Sequence, residues 1–127
     1  MFVSVLVPVF NEAESLPFLL EQIAAALAPL AKPYEVICVD DGSSDESFNV
    51  LKDLTNSHPE LRAVQFRRNF GQTAAMQAGL DLARGQYVAF LDADLQNDPA
   101  DIPRMLTHLG ENDLDMVAGW RADRQDT

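Results

Sequence analysis

The sequence predicts an α/β domain in which a mostly parallel sheet carries helices on both faces. Short apolar, β-branched runs alternate along the chain with segments of helical periodicity. Such strict alternation favours parallel strands joined by helical crossovers. No repeat, low-complexity tract or linker interrupts the 127 residues. We therefore expect a single domain over residues 1–127.

The first predicted strand and helix occupy the N-terminal quarter of the chain. Val3 to Val9 is a nearly continuous apolar run that suits a central strand, and Pro8 marks its end. Asn11 is a candidate N-cap for the helix that follows. Apolar residues recur at helical spacing up to Pro29, and Pro17 is tolerable only in the first turn of that helix.

Two further strands follow at similar intervals. Tyr34 to Val39 predicts the second strand, which ends in an acidic turn containing glycine and serine over residues 40–45. Ser44 or Asp45 is expected to cap the next helix. The third strand is predicted over Leu61 to Phe66.

The second half of the chain repeats the alternation. A helix with small residues between Ala74 and Ala83 is expected to pack closely on the sheet and to end at Gly85. Tyr87 to Leu91 predicts the fourth strand. Another helix is expected to open at Asp98, and residues 116–118 predict a fifth strand.

The composition excludes several classes of protein. Nine basic and 20 acidic residues give a formal net charge of −11, which argues against a nucleic-acid partner and is compatible with carboxylates around a divalent cation. Cys38, the only cysteine, lies in an apolar run and predicts a small buried side chain in a reducing, cytoplasmic compartment. No signal peptide is recognisable, and no run approaches the ~18 apolar residues of a membrane span.

Polar side chains capable of chemistry follow every predicted strand. They are Asn11 and Glu12, Asp40 and Asp41, Arg68 and Asn69, Asp92 and Asp94, and Arg121, in strand order. Ligands of open α/β sheets bind outside the carboxyl ends of the strands, so the sequence predicts a site there. Asp92 and Asp94 are one residue apart and can converge on one point, where carboxylates suit Mg²⁺ or Mn²⁺ and substrate phosphates.

Familiar motifs for other chemistry are missing from the sequence. It contains no G-x-G-x-x-G after the first strand, no P-loop and no nucleophilic serine elbow. His58 and His108 do not follow a strand. Carboxylates, a divalent cation and arginines around a crevice suit the binding of a nucleoside diphosphate.

Four motifs in order resemble those of family 2 glycosyltransferases with the GT-A fold. They are Val7–Glu12, Val39–Asp45, Arg68–Gln72 and Asp92–Gln96. Within that family the chain is most similar to the polyprenyl-phosphate branch, the relatives of dolichol-phosphate mannose synthase and bactoprenol glucosyltransferase. The resemblance implies that residues 1–127 are the Rossmann-like, nucleotide-sugar-binding part of a GT-A domain.

The resemblance also implies roles for individual residues. Those that would bind the nucleotide sugar are Pro8, Phe10, Glu12, Val39, Asp41, Asp92 and Ala93. Those that would take part in catalysis are Asp92, Asp94 and Arg121. Asp94 would be the main ligand of the metal, with Gln96 near it, and Arg121 would hold phosphate.

The implied reaction transfers a sugar, with inversion, from a UDP- or GDP-linked donor to a polyprenyl or dolichyl phosphate at the cytoplasmic face of a membrane. Members of this branch continue past the Gly-x-Arg motif into segments that bind the acceptor and the membrane. A chain ending at Thr127 is therefore expected to be an N-terminal part, truncated on its C-terminal side, that binds the donor but transfers sugar poorly. The sheet edge after Val117 makes oligomers possible.

Other functions remain open at this point. The acceptor could be a saccharide hydroxyl, which would call for an aspartate base. In a different class, the chain could be a non-catalytic nucleotide-sugar sensor or a receiver-like signalling domain. Receivers place their acidic pair after the first strand and a lysine after the last, whereas here Asn11-Glu12 follows the first strand, and Lys32 and Lys52 lie elsewhere.

Overall fold

In the computed structural model, which describes residues 1–93, 99–100, 102–103 and 116–117, the strands form one parallel sheet. Within these residues the sheet order is β3-β2-β1-β4-β5. The strands are β1 (Val3–Val9), β2 (Tyr34–Asp40), β3 (Leu61–Gln65), β4 (Tyr87–Phe90) and β5 (Met116–Val117). The helices are α1 (Leu16–Leu27), α2 (Ser47–Leu54) and α3 (Gln72–Leu82), with a 3₁₀ turn at Ala28–Leu30. The predicted α/β class is confirmed.

The first strand is the centre of the sheet, as its apolar run predicts. β1 pairs with β2 along its whole length, from Val3 opposite Tyr34 to Val9 opposite Asp40. On its other side it pairs with β4 over residues 3–6. Because both edges and both faces of β1 are covered, all its residues except Pro8 are buried.

Helices cover both faces of the sheet, and the strand alternation decides which side chains meet which helix. The odd-numbered residues of β1 pack with α1 and α2 in the larger core cluster, which includes Cys38. Leu6 and Ile37 point to the opposite face and pack against α3 through Ala75. The small residues of α3 bring it close to the sheet, and a Cβ at Gly79 would lie 3.3 Å from Leu6 Cδ1.

Cys38 is completely buried, as predicted. Burial raises the pKa of the Cys38 thiol to about 12, so the thiolate is not formed near neutral pH. The side chain therefore acts as a small apolar group in the core.

Near the amino-terminal ends of the strands, buried Glu35 of β2 links β1, β3 and the segment after α3. Its carboxylate accepts hydrogen bonds from Ser4 Oγ at 2.6 Å, from Arg84 N at 2.7 Å and from Arg62 Nη1 at 3.0 Å. Burial alone would raise the pKa of Glu35, but these donors outweigh it and hold the pKa below its ordinary value. Glu35 is therefore an ionised brace inside the fold.

The starts of two helices differ from the predictions. Asn11 is not the N-cap of α1, because Ser15 precedes the first helical residue and Asn11 adopts a left-handed conformation with φ +54°. Pro17 does fall in the first turn of that helix. Neither Ser44 nor Asp45 occupies the N-cap of α2, where Glu46 stands without a side-chain cap bond.

Gly85 was predicted to end α3 and has another role. The helix ends at Leu82, followed by Ala83 in an extended conformation. Gly85 instead lies against β1, where an added Cβ would come within 2.5 Å of Ser4 N. The glycine permits the chain to pass closely over the start of β1.

The C-terminal predictions are partly covered by the described residues. Ile102 is buried and helical, and its amide donates to Pro99 O at 3.0 Å. Pro103 is helical as well, whereas Asp98, Asp101, the predicted helix beyond Pro103, and Ala118 lie outside the described residues. Within the part of the chain that is described, no helix is both long and apolar enough to cross a membrane.

Candidate functional site

The strand order creates a crevice at the carboxyl ends of β1 and β4. The chain runs outward from β1 to β2 and β3 on one side, and α3 then carries it back across the sheet to β4 on the other side. The loops after β1 and β4 consequently leave in different directions. In open α/β sheets this reversal point is where ligands bind.

A cleft of about 140 Å³ lies at this reversal point. It is lined by Pro8, Phe10 and Glu12 from the segment ending β1 and by Asp92 and Ala93 after β4. All five are among the predicted nucleotide-sugar residues, and the fold brings them together across about eighty residues of sequence. Phe10 is 47% exposed, which leaves a broad aromatic face available at the rim.

A second cleft of about 110 Å³ adjoins the first and shares Pro8 and Phe10 with it. Its remaining lining comes from Val9, Asp41 and Gln72. Small-molecule pockets usually measure roughly 300–1,000 Å³. Each cleft, as the described residues form it, is therefore smaller than a typical small-molecule pocket.

Asp41 is almost fully buried and joins three loops. Its carboxylate accepts hydrogen bonds from Phe70 N at 2.8 Å, from Gly71 N at 3.1 Å and from Asn69 Nδ2 at 3.1 Å. Its own amide donates to Val9 O at 2.8 Å. Asp41 thus fixes the loop before α3 against the end of β1 while forming part of the second cleft.

The neighbouring Gly42 explains how these loops come so close. Gly42 has φ +71°, a conformation that favours glycine, and a Cβ there would lie 2.3 Å from the backbone carbon of Arg68. The Arg68 guanidinium in turn stacks on the Phe70 ring, 4.7 Å from its centroid. Arg68 and Asn69 therefore brace the loop.

Val39, which was predicted to lie beside the base, has a side chain that is 1% exposed and belongs to the apolar cluster beneath α3. Its register partner Pro8 lines both clefts instead.

Gln72 is a cleft residue that we did not select from the sequence. It is the first residue of α3, and its Nε2 donates to Asp92 Oδ1 at 3.4 Å. Its place at the end of the Arg68–Gln72 motif was the available signal. Gln72 links the second cleft to the carboxylate of the first.

The other predicted site residues, Asp94, Gln96 and Arg121, lie outside the described residues. Among the residues that are described, no group of three or more His, Cys, Asp or Glu side chains could hold a metal ion. Asp92 is half-buried at the cleft. Its carboxylate oxygens are ligands of the kind that hard divalent cations prefer.

Comparison with known proteins gives a family match along almost the entire chain. The model described as "Glycosyl transferase family 2" matches residues 4–127. A dodecaprenyl-phosphate galacturonate synthase from Rhizobium johnstonii is 49% identical over 124 residues, covering 97% of this chain and 37% of the relative. An undecaprenyl-phosphate 4-deoxy-4-formamido-L-arabinose transferase from Yersinia enterocolitica is 47% identical over 127 residues, covering 98% of this chain and 38% of the relative.

Solved structures resemble the chain in fold as well. The mannosyltransferase PcManGT from Pyrobaculum calidifontis, in complex with GDP-Man and Mn²⁺, superposes with a TM-score of 0.68 at 31% identity, covering 78% of this chain and 29% of that protein. TarS from S. aureus, in complex with UDP-GlcNAc, gives a TM-score of 0.63 at 26% identity, covering 87% of this chain and 32% of TarS. The chain thus spans well under half the length of the proteins that it matches.

Proposed function

This chain belongs to glycosyl transferase family 2 and has its GT-A fold, and from that membership we propose that residues 1–127 are the donor-binding part of a sugar transferase. The donor is a nucleotide-diphosphate sugar, and the acceptor is a polyprenyl phosphate. The family match leaves the receiver-domain alternative without support.

The observation that carries the proposal is the convergence of Pro8, Phe10, Glu12, Asp92 and Ala93 on one cleft. An exposed aromatic ring and an adjoining carboxylate can bind a base and a ribose, and Asp92, which lines the same cleft, would contact the diphosphate beside the metal. Two neighbours of known structure were solved with nucleotide sugars, which supports this class of donor.

We assign the metal to the acidic motif after β4. Asp94 would be the main ligand, with Gln96 near it and Asp92 beside the diphosphate. Mg²⁺ and Mn²⁺ both suit oxygen ligands together with substrate phosphates, and PcManGT was solved with Mn²⁺. Such a cation stabilises the negative charge that builds on a departing diphosphate, and Arg121 would add to that stabilisation.

The acceptor assignment is supported by the relatives named for dodecaprenyl and undecaprenyl phosphate. A phosphate is already anionic at neutral pH, so it can attack the anomeric carbon without a strong general base. A single displacement of this kind inverts the anomeric configuration. We place the reaction of the whole protein at the cytoplasmic face of a membrane, where a lipid-linked acceptor and a soluble donor meet.

Calorimetric titration tests the donor site. UDP and GDP are titrated with and without Mn²⁺ into the wild type, Asp94→Ala and the control Asp53→Ala, which removes one exposed carboxylate of α2. We expect one nucleotide to bind in the presence of Mn²⁺, binding to be lost in Asp94→Ala, and the control to behave as the wild type. Equal binding by Asp94→Ala and the wild type would contradict the metal assignment.

Sugar transfer is tested separately on the same chain. Because the chain spans 37–38% of its polyprenyl-phosphate relatives, donor binding is the step that we assign to these residues. We expect no more than slow transfer of labelled sugar from a UDP or GDP donor to undecaprenyl phosphate. Rapid transfer by residues 1–127 alone would overturn the assignment of a donor-only role.

A further inference from the structure

The loop that carries Phe10 and Glu12 takes its shape from another loop. Its three consecutive amides donate to side chains of the segment between β2 and α2 rather than to its own backbone. Asn11 N donates to Ser43 Oγ at 2.8 Å and Glu12 N to Ser47 Oγ at 2.9 Å. The third amide, that of Ala13, donates to Asp45 Oδ2 at 3.4 Å.

The side chain of Asn11 in turn accepts hydrogen bonds from the loop between β2 and α2. Its Oδ1 accepts hydrogen bonds from Ser44 N at 2.9 Å and from Asp45 N at 3.2 Å. This exchange requires the left-handed conformation of Asn11, a region that asparagine visits more readily than most residues. One side chain therefore satisfies two amides of the facing loop and also fixes the turn between Phe10 and Glu12.

The hydroxyls of Ser43 and Ser47 link the amides of the first loop to carboxylates of the second. Ser43 Oγ accepts from Asn11 N and donates to Asp40 Oδ1, and Asp40 is fully buried. Ser47 Oγ accepts from Glu12 N and donates to Asp45 Oδ1 at 2.6 Å. Each hydroxyl uses its proton toward a carboxylate and its lone pair toward an amide, so its orientation is fixed.

We propose that Asn11, Ser43, Asp45 and Ser47, here called the loop clamp, are positioning residues that hold Phe10 and Glu12 in the geometry that binds the donor. This inference rests on the proposed function. Phe10 and Glu12 line the cleft, whereas the clamp residues shape the backbone on either side of them. A wall fixed before the ligand arrives spares the ordering cost that a mobile loop would incur on binding.

Substitutions at Asn11 separate its two contributions. Asn11→Gly keeps access to positive φ but removes Oδ1, and Asn11→Asp keeps an acceptor of the same shape. Ser47→Ala removes the acceptor of the Glu12 amide from a position outside the cleft lining. Thr55→Ala is the matched control, because it removes a local hydrogen bond, Thr55 Oγ1 to Lys52 O, at the far end of α2.

Each variant is titrated with UDP and GDP in the presence of Mn²⁺, and its amide hydrogen exchange and Tm are measured. We expect Asn11→Gly and Ser47→Ala to weaken nucleotide binding about tenfold and to speed exchange at the clamp amides. We expect Asn11→Asp to recover most of the affinity and Thr55→Ala to bind as the wild type, even where its Tm falls as far.

Nucleotide affinity within twofold of the wild type in both Asn11→Gly and Ser47→Ala would overturn the clamp. A wild type that binds neither nucleotide would overturn the proposed function instead. In that case the amide hydrogen exchange data alone would test whether the clamp residues order the loop. Faster exchange at residues 11–13 in Asn11→Gly would support it, and unchanged exchange would overturn it.

Discussion

Asp41 shows how one residue can belong to the candidate site and to the framework that supports it. Its carboxylate lines the second cleft, yet it already accepts hydrogen bonds from two backbone amides and one side-chain amide of the loop before α3. A carboxylate committed in this way has a fixed orientation. Any ligand that meets Asp41 therefore meets a preset acceptor.

Removal of that carboxylate is expected to destabilise the fold as well as the cleft. Asp41→Ala leaves the amides of Phe70 and Gly71 without their acceptor, and hydrogen bonds to charged groups contribute about 1.5–3 kcal/mol. We expect the free energy of unfolding in urea to fall by about 2–3 kcal/mol. The control Asp81→Ala, on the exposed face of α3, should change it by less than about 0.5 kcal/mol. Equal losses in the two variants would contradict this role.

Glu35 gives the fold a defined acid sensitivity. Because the folded pKa lies below the ordinary value of 4.5, the unfolded chain binds more protons between the two values. The stabilisation is therefore present above pH 4.5 and is lost as the pH falls through the folded pKa. We expect the free energy of unfolding to fall steeply below about pH 4.5 in the wild type, and Glu35→Gln to be less stable at pH 7 with a flatter acid limb. Urea unfolding at several pH values measures both, and parallel acid limbs would show that other groups dominate.

At the scale of elements, glycine sets how closely α3 and its following turn approach β1. At Gly85 a Cβ would collide with the backbone of Ser4 at 2.5 Å, whereas at Gly79 it would meet the flexible side chain of Leu6 at 3.3 Å. A clash with the backbone cannot be relieved by rotating a side chain, so the strand or the turn would have to shift. Gly79 in contrast lies within a helix, where alanine is favoured by about 1 kcal/mol.

The same substitution, glycine to alanine, is therefore expected to cost much more stability at Gly85 than at Gly79. Gly85→Ala should lower the free energy of unfolding by about 1–3 kcal/mol or more. Gly79→Ala should leave it within about 1 kcal/mol of the wild type, because helix propensity offsets the tight contact. Thermal and urea unfolding of both variants provide the measurement. A larger loss at Gly79 would mean that Leu6 cannot move.

Local sequence patterns were sufficient to predict the strands and helices. The roles of single residues such as Asn11 and Gly85 depend on contacts that are distant in sequence. The apolar run of β1 and the alternation of strands predicted a central strand and parallel order, because burial on both faces leaves a visible composition. The role of Asn11 could not be predicted this way. Its partners lie more than thirty residues away, and a local pattern makes asparagine before a helix resemble a cap. The role of Gly85 was wrongly predicted for the same reason, because the residue that it contacts, Ser4, is about eighty residues away in sequence.

The site showed the same division. Pro8, Phe10, Glu12, Asp92 and Ala93 were selected through a family resemblance, and the strand order accounts for their meeting. Gln72 belongs to the Arg68–Gln72 motif, but it was missed because the sequence alone assigned that motif no contact with the ligand. Its proximity to Asp92 depends on where α3 crosses the sheet.

The whole molecule carries a formal net charge of −11, which opposes the approach of an anionic nucleotide. Salt screens that repulsion over a Debye length of about 10 Å at 0.1 M. At a fixed, saturating Mn²⁺ concentration, we therefore expect the affinity for UDP or GDP, whichever binds, to rise as NaCl increases from about 20 to about 200 mM. Calorimetry at the two salt concentrations measures the change. An affinity that falls with salt would indicate that nearby arginines dominate the local field.

The crevice between β1 and β4 also has a consequence for the order of events during synthesis. The wall formed by Phe10 and Glu12 needs the chain up to Ser47, whose hydroxyl accepts a hydrogen bond from the Glu12 amide, but the other wall requires Asp92 and Ala93. β2 and β3 can already pair beside β1 by then, whereas β4 must still enter on its free side. Donor-binding competence should consequently appear only after β4 has emerged, so a bound nucleotide would mark nascent chains in which β4 has paired with β1.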